Sequence, residues 1–183
     1  GACACDIKHA AFHPHGHNGI VADKHAVFPC EMKEGALIIS AAVYTFSADI
    51  TSVACDSSDS MFASTLSGLY LLAGQEAVQQ WPGPVWSVAA TQAIAFSTPE
   101  GVFSLRDTAG SRDAECLMKR HLTYPAPLAS FQRSIAVGVG CSVLLISSAD
   151  PLAQYLAQIR SLYIAGGFMS GRLGRDCHLP ETI

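Results

Sequence analysis

The sequence predicts an α/β or α+β domain: a mixed β-sheet covered by helices, preceded by an irregular His-rich N-terminal arm. Three observations lead there. Half of the 183 residues are hydrophobic and only 14% are charged, which supplies ample apolar side chain for a core. Apolar runs of strand character alternate along the chain with segments of helical spacing. The first 35 residues hold five of the seven histidines and three of the seven cysteines, with Gly, Pro and Asn breaking any period. The expected organisation is therefore an arm over 1–35 and a single mixed domain over 36–183.

Taken in order, the run from Gly35 to Phe46 reads as a strand buried on both faces, and Ile50 to Ala54 as a short second strand. Asp56, Ser57 and Ser58 then offer helix-capping side chains ahead of Met61, Leu66, Leu69, Tyr70 and Leu72, whose spacing predicts an amphipathic helix ending near Gly74. Trp81-Pro82-Gly83-Pro84 is a turn. Val85 to Phe96 and Val102 to Leu105 look extended and are joined across Thr98-Pro99-Glu100-Gly101, the pattern of a hairpin. Ser111 can cap a helix running to about Leu122, stopped by Pro125 and Pro127, and Ile135 to Ile146 is the strongest remaining strand. Asp150 before Pro151 predicts a last helix, stopped by Gly166 and Gly167, with a loop-like tail to Ile183.

Charge and cysteine content narrow the function classes. The formal charge is −4, and the eleven Lys and Arg residues form no basic run, which argues against an electrostatic grip on nucleic acid. No apolar stretch approaches the roughly 20 residues of a membrane-spanning helix. Seven cysteines, an odd number, exclude a complete disulfide framework and favour a reducing, cytoplasmic setting. The low charge density leaves apolar surface to be covered, so a homo-oligomer or complex subunit is expected.

The chemistry-bearing segment is His13-Pro14-His15-Gly16-His17. In an extended chain, side chains two apart share a face, so His13, His15 and His17 could converge on one transition metal, zinc first, with His25, Asp23 or Cys30 as a fourth ligand. Metal-bound water would then supply a hydroxide for hydrolysis of a small-molecule substrate, with a carboxylate such as Glu31 as proton shuttle. This predicts a metal-dependent enzyme of hydrolase type. Two other readings stand beside it. One is a non-catalytic module that uses the arm to bind metal or a partner, or to form oligomers. The other is a cysteine-nucleophile enzyme of acyl transfer or amide hydrolysis: Cys55 sits where a strand runs into a helix start, a place that favours thiolate, and His121 could act as its base. Asp56 and Asp59 oppose that thiolate by their charge. Ser147 to Pro151 is a further anion-site candidate at a strand-to-helix junction.

Overall fold

The computed structural model describes residues 6–14, 16–90, 93–108, 111–131, 134–147, 157–159, 163–165 and 168–170. Among these residues the chain is all-β, arranged as a propeller-like ring of four blades. The expected sheet covered by helices is therefore corrected. The first blade comprises β1 (His9–Phe12), β2 (Asn18–Ala22), β3 (Ala26–Lys33), β4 (Ala36–Ile39) and β5 (Tyr44–Thr45). The second holds β6 (Ile50–Cys55), β7 (Met61–Thr65), β8 (Gly68–Ala73) and β9 (Glu76–Pro82). The third holds β10 (Ser87–Ala90), β11 (Ile94–Thr98), β12 (Gly101–Thr108) and β13 (Ser111–Lys119), and the fourth β14 (Leu128–Phe131), β15 (Ser134–Val139), β16 (Ser142–Ser147) and β17 (Ala157–Ile159). A further hairpin pairs β18 (Tyr163–Ala165) with β19 (Phe168–Ser170). Each blade is an antiparallel meander in chain order, and blades begin about every 40 residues, the repeat length of propeller blades.

Local chemistry explains why two expected helices are hairpins. In the segment 61–72, Thr65 Oγ1 accepts hydrogen bonds from the N–H groups of Ser67 (3.0 Å) and Gly68 (3.1 Å), which folds the chain back at Leu66-Ser67. Leu66, one of the apolar residues of the helical pattern, lies exposed on that turn. The segment from Ser111 pairs instead with β12, in a register that sets Leu105 opposite Ala114 and Val102 opposite Met118. The single strand expected from Ile135 to Ile146 is a hairpin, turned at Gly140-Cys141, with Gly140 at φ 59°. The hairpin expected across Thr98 to Gly101 is present as β11–β12. The stretch Gly35 to Phe46 forms one interrupted edge: β4 pairs with the C-terminal half of β3, β5 with its N-terminal end, and residues 40–43 bridge the two. The segment expected to be an irregular arm supplies β1, β2 and β3. The expected helix from Asp150-Pro151 and its Gly166-Gly167 stop lie outside the described residues, but the described parts 157–159 and 163–165 of that span are strands.

Blades pack face to face, and each blade's first strand lies against the next one's: β1 on β6, β6 on β10, β10 on β14. Between the first two blades lie Ile20, Val27, Tyr44, Val53 and Leu72; between the second and third, Phe62, Leu69, Phe96 and Leu105; between the third and fourth, Val102, Met118, Ile135 and Val137. Interior strands thus bury both faces, so apolar residues run consecutively and period-2 alternation disappears. Trp81, Phe96 and Phe103 stack together at the second junction, with ring centroids 5.0–5.7 Å apart. Hydrogen bonds cross each of these three junctions: Tyr44 Oη donates to Gly74 O (2.7 Å), Thr51 Oγ1 to Val85 O (2.7 Å) and Ser97 Oγ to Ala126 O (2.6 Å). These hydroxyls are accommodated at the junctions because each has a carbonyl to bond. No helix among the described residues is long and apolar enough to cross a membrane.

Candidate functional site

In the first two blades, the loops that join the first and second strands meet on one rim. In the first blade that loop is residues 13–17, in the second 56–60. The first is pinned by His13 N–H donating to Asn18 O (3.0 Å), Gly16 N–H to His13 O (3.2 Å) and Met32 N–H to His17 O (2.7 Å). The second is built round Asp56, whose Oδ1 accepts from Ser58 N (2.8 Å), Ser58 Oγ (2.9 Å) and Ser60 N (2.8 Å). Asp56 is a cap, as its sequence setting indicates, but of a hairpin turn. Asp59 takes the left-handed conformation at φ 61°, which Asp tolerates because its short polar side chain bonds locally.

Between these loops lies a cleft of about 500 Å³ lined by His13, Pro14, Gly16, Asn18, Ser57 and Asp59. It straddles the junction of the first two blades. His13 is the deeper wall, its side chain only 11% exposed, whereas Asp59 presents its carboxylate to solvent at 88%. His13 Nδ1 is buried and stands 3.3 Å from Asp59 Oδ1, at the separation of an ion pair but without the alignment of a hydrogen bond.

The residues singled out in the sequence are dispersed. His13 and His17 share a loop, but that loop is a hairpin connection and not an extended strand, so the every-other-residue argument for one shared face does not apply. His17 is exposed, and His15 lies outside the described residues. His25 belongs to the β2–β3 turn on the opposite rim, roughly 16 Å away across the five residues of β2 at about 3.3 Å each. There its Nε2 is 3.7 Å from Asp49 Oδ1, and Asp23 Oδ1 is occupied by the N–H groups of His25 and Ala26. Cys30 is buried in the first blade. Among the described residues, which leave out His15, no group of three or more His, Cys, Asp or Glu side chains is placed to hold a metal ion, and for those residues the metal-binding expectation is corrected.

Glu31 is exposed on β3, opposite Asn18 and Ile38. Cys55 ends β6 and packs towards the first blade, its Sγ–H 3.6 Å from Ala11 O. Burial pushes its thiol up to about 12, with Cys30, Asp56 and Asp59 adding in the same direction and a backbone bond from Ile20 opposing them. No helix start follows it to favour thiolate. His121 is exposed just beyond β13 in the third blade, where the N–H groups of Arg120 and Leu122 bond Glu100 and Pro99 carbonyls. The structure does not bring His121 to Cys55. Ser147 is the only described residue of the anion-site candidate Ser147 to Pro151.

Sequence reasoning missed Asn18, Ser57 and Asp59. The available signal was the polar run Asp56-Ser57-Ser58-Asp59-Ser60 between two apolar strands, a hairpin-turn pattern read instead as a helix cap. What fold and cleft together define is a propeller-like repeat module with a polar recess on one rim. A scan against models of known protein families finds no match to this chain, and a search of curated proteins finds none.

Proposed function

We propose that this chain is a non-catalytic interaction module that receives a partner in the rim cleft between its first two blades. The observation that carries the reading is the cleft's construction: loops of two adjacent blades, each fixed by its own hydrogen bonds, hold His13, Asn18, Ser57 and Asp59 round one recess. Loops on a rigid β scaffold are where binding residues concentrate, and preformed loops bind without a large ordering cost. A binding role needs only such a surface. An acyl-transfer role would need a thiolate at Cys55, and burial holds that thiol at about 12.

The test is a selection of random peptides displayed against the whole chain, run beside a variant in which residues 13–17 are replaced by a Gly-Ser loop. Selected peptides are expected to cross-link to a photoreactive amino acid placed at Ser57 and to lose binding to the loop variant. Peptides that bind both proteins equally, or a selection that enriches none, would refute the proposal.

A further inference from the structure

We infer that the rim cleft is selective for a cationic side chain, a lysine or arginine presented by a peptide segment. This deepens the interaction-module reading and rests on it. Among the described lining residues, Asp59 is the one with a formal charge at neutral pH, and it is a carboxylate. No Lys or Arg stands among the described lining residues, which leaves the solvent side of the carboxylate open to a counter-charge from the ligand. His13 lies behind Asp59, 3.3 Å from its Oδ1 and almost wholly buried, and so backs the carboxylate without closing its solvent side. Asn18 and Ser57 add acceptors for the remaining N–H groups of an ammonium or guanidinium. Pro14 and the His13 ring offer apolar wall to the methylene stem of a long basic side chain, which buries its stem while its head bonds a carboxylate. Asp56, three residues earlier, reinforces the negative potential, although its Oδ1 is engaged in the turn. The chain's formal charge of −4 favours approach of a basic partner.

Asp59→Asn is a clean probe, because Asn tolerates the left-handed backbone as readily as Asp and is isosteric with it. Asp49→Asn, on the opposite rim, removes the same charge elsewhere and serves as control. The isotope-labelled full chain is titrated by NMR with three blocked tripeptides: N-acetyl-Gly-Lys-Gly-amide, its arginine counterpart and its norleucine counterpart. Expected are saturable shifts in the amides of residues 13, 16–18 and 56–60 with the two basic peptides. Binding should be weaker by about tenfold or more with norleucine and in Asp59→Asn, and unchanged in Asp49→Asn. Equal binding of norleucine, or full retention in Asp59→Asn with the spectrum otherwise native, overturns the inference. If acidic or apolar peptides from the display selection shift those resonances while basic ones do not, the interaction module stands and its cationic selectivity falls. If no peptide of either set shifts them, both fall.

Discussion

Cys55 gives the most demanding quantitative test of the structure. Its side chain is buried between the first two blades, and burial raises its thiol from 9.0 to about 12, with Cys30, Asp56 and Asp59 adding to the rise. At pH 7.5 such a group is thiolate in only about 3 molecules per 100,000, against roughly 3% for a thiol at the ordinary value of 9.0. Thiolate fraction alone therefore slows alkylation by about 1,000-fold, and restricted access slows it further. The assay is iodoacetamide labelling of the native chain followed by peptide mass mapping, with exposed Cys116 and Cys141 as references in the same molecule. The same rise makes stability depend on pH. A raised pKa means that the native state prefers the protonated thiol, so the contribution is whole below pH 9 and is lost as pH climbs towards 12. With screening by solvent the preference is worth at most about 4 kcal/mol. Cys30 and Tyr44 are also raised by burial, so alkaline destabilisation of the parent protein has several sources. Cys55→Ala isolates this one: the fall in urea midpoint between pH 8 and pH 11 should be smaller in the variant. Labelling of Cys55 as fast as Cys116 and Cys141, or an unchanged pH dependence in Cys55→Ala, would refute the placement of this thiol and reopen the nucleophile reading.

Two further predictions address the architecture. Phe96, fully buried against Trp81 and Phe103 between the second and third blades, should cost about 3–5 kcal/mol when changed to Ala, lowering the urea midpoint by roughly 1–2 M; Val78→Ala, at an exposed site, should change it little. Gly101 has φ +147°, and a Cβ there would stand 2.0 Å from the Met118 carbonyl oxygen, so Gly101→Ala should disrupt the β12–β13 pairing and appear as lost amide protection in both strands by hydrogen exchange.

Some of the fold was legible and some was not, for identifiable reasons. The strand from Ile50 and the hairpin across Pro99-Glu100 were readable, because turn residues flank short apolar runs there. Met61 to Leu72 was not, because five apolar residues at near-helical spacing outweighed the turn that Thr65 closes with its own hydroxyl. The β15–β16 hairpin hid because residues 135–146 are apolar but for Ser142, so the turn that Gly140 makes at φ 59° carries no polar flanking cluster to mark it. The repeat itself is carried by register and turn geometry instead of recurring words. Glu34 and Gly35 at φ 53° and 80° close one blade's last hairpin, and Gly74 at φ 62° marks the corresponding turn of the next. At the site, the loop position of His13 was implied by Pro14 and Gly16. Its neighbour Asp59 comes from a loop more than forty residues on in sequence, and nothing in either segment by itself announces that meeting.

The interruption of the first blade's outer strand has a consequence for how the molecule behaves in a crowded solution. An unbroken outer edge would offer a continuous row of unpaired backbone groups to any passing strand, the usual seed of edge-to-edge aggregation. Here β4 and β5 are separate short pieces, and residues 40–43 step between them with Ser40 and Val43 N–H groups already donated to β3. A foreign strand could match the hydrogen-bonding rhythm for only a few residues before losing step. In the second blade β9 runs longer as an edge, and Pro82 at its end removes a donor from the row.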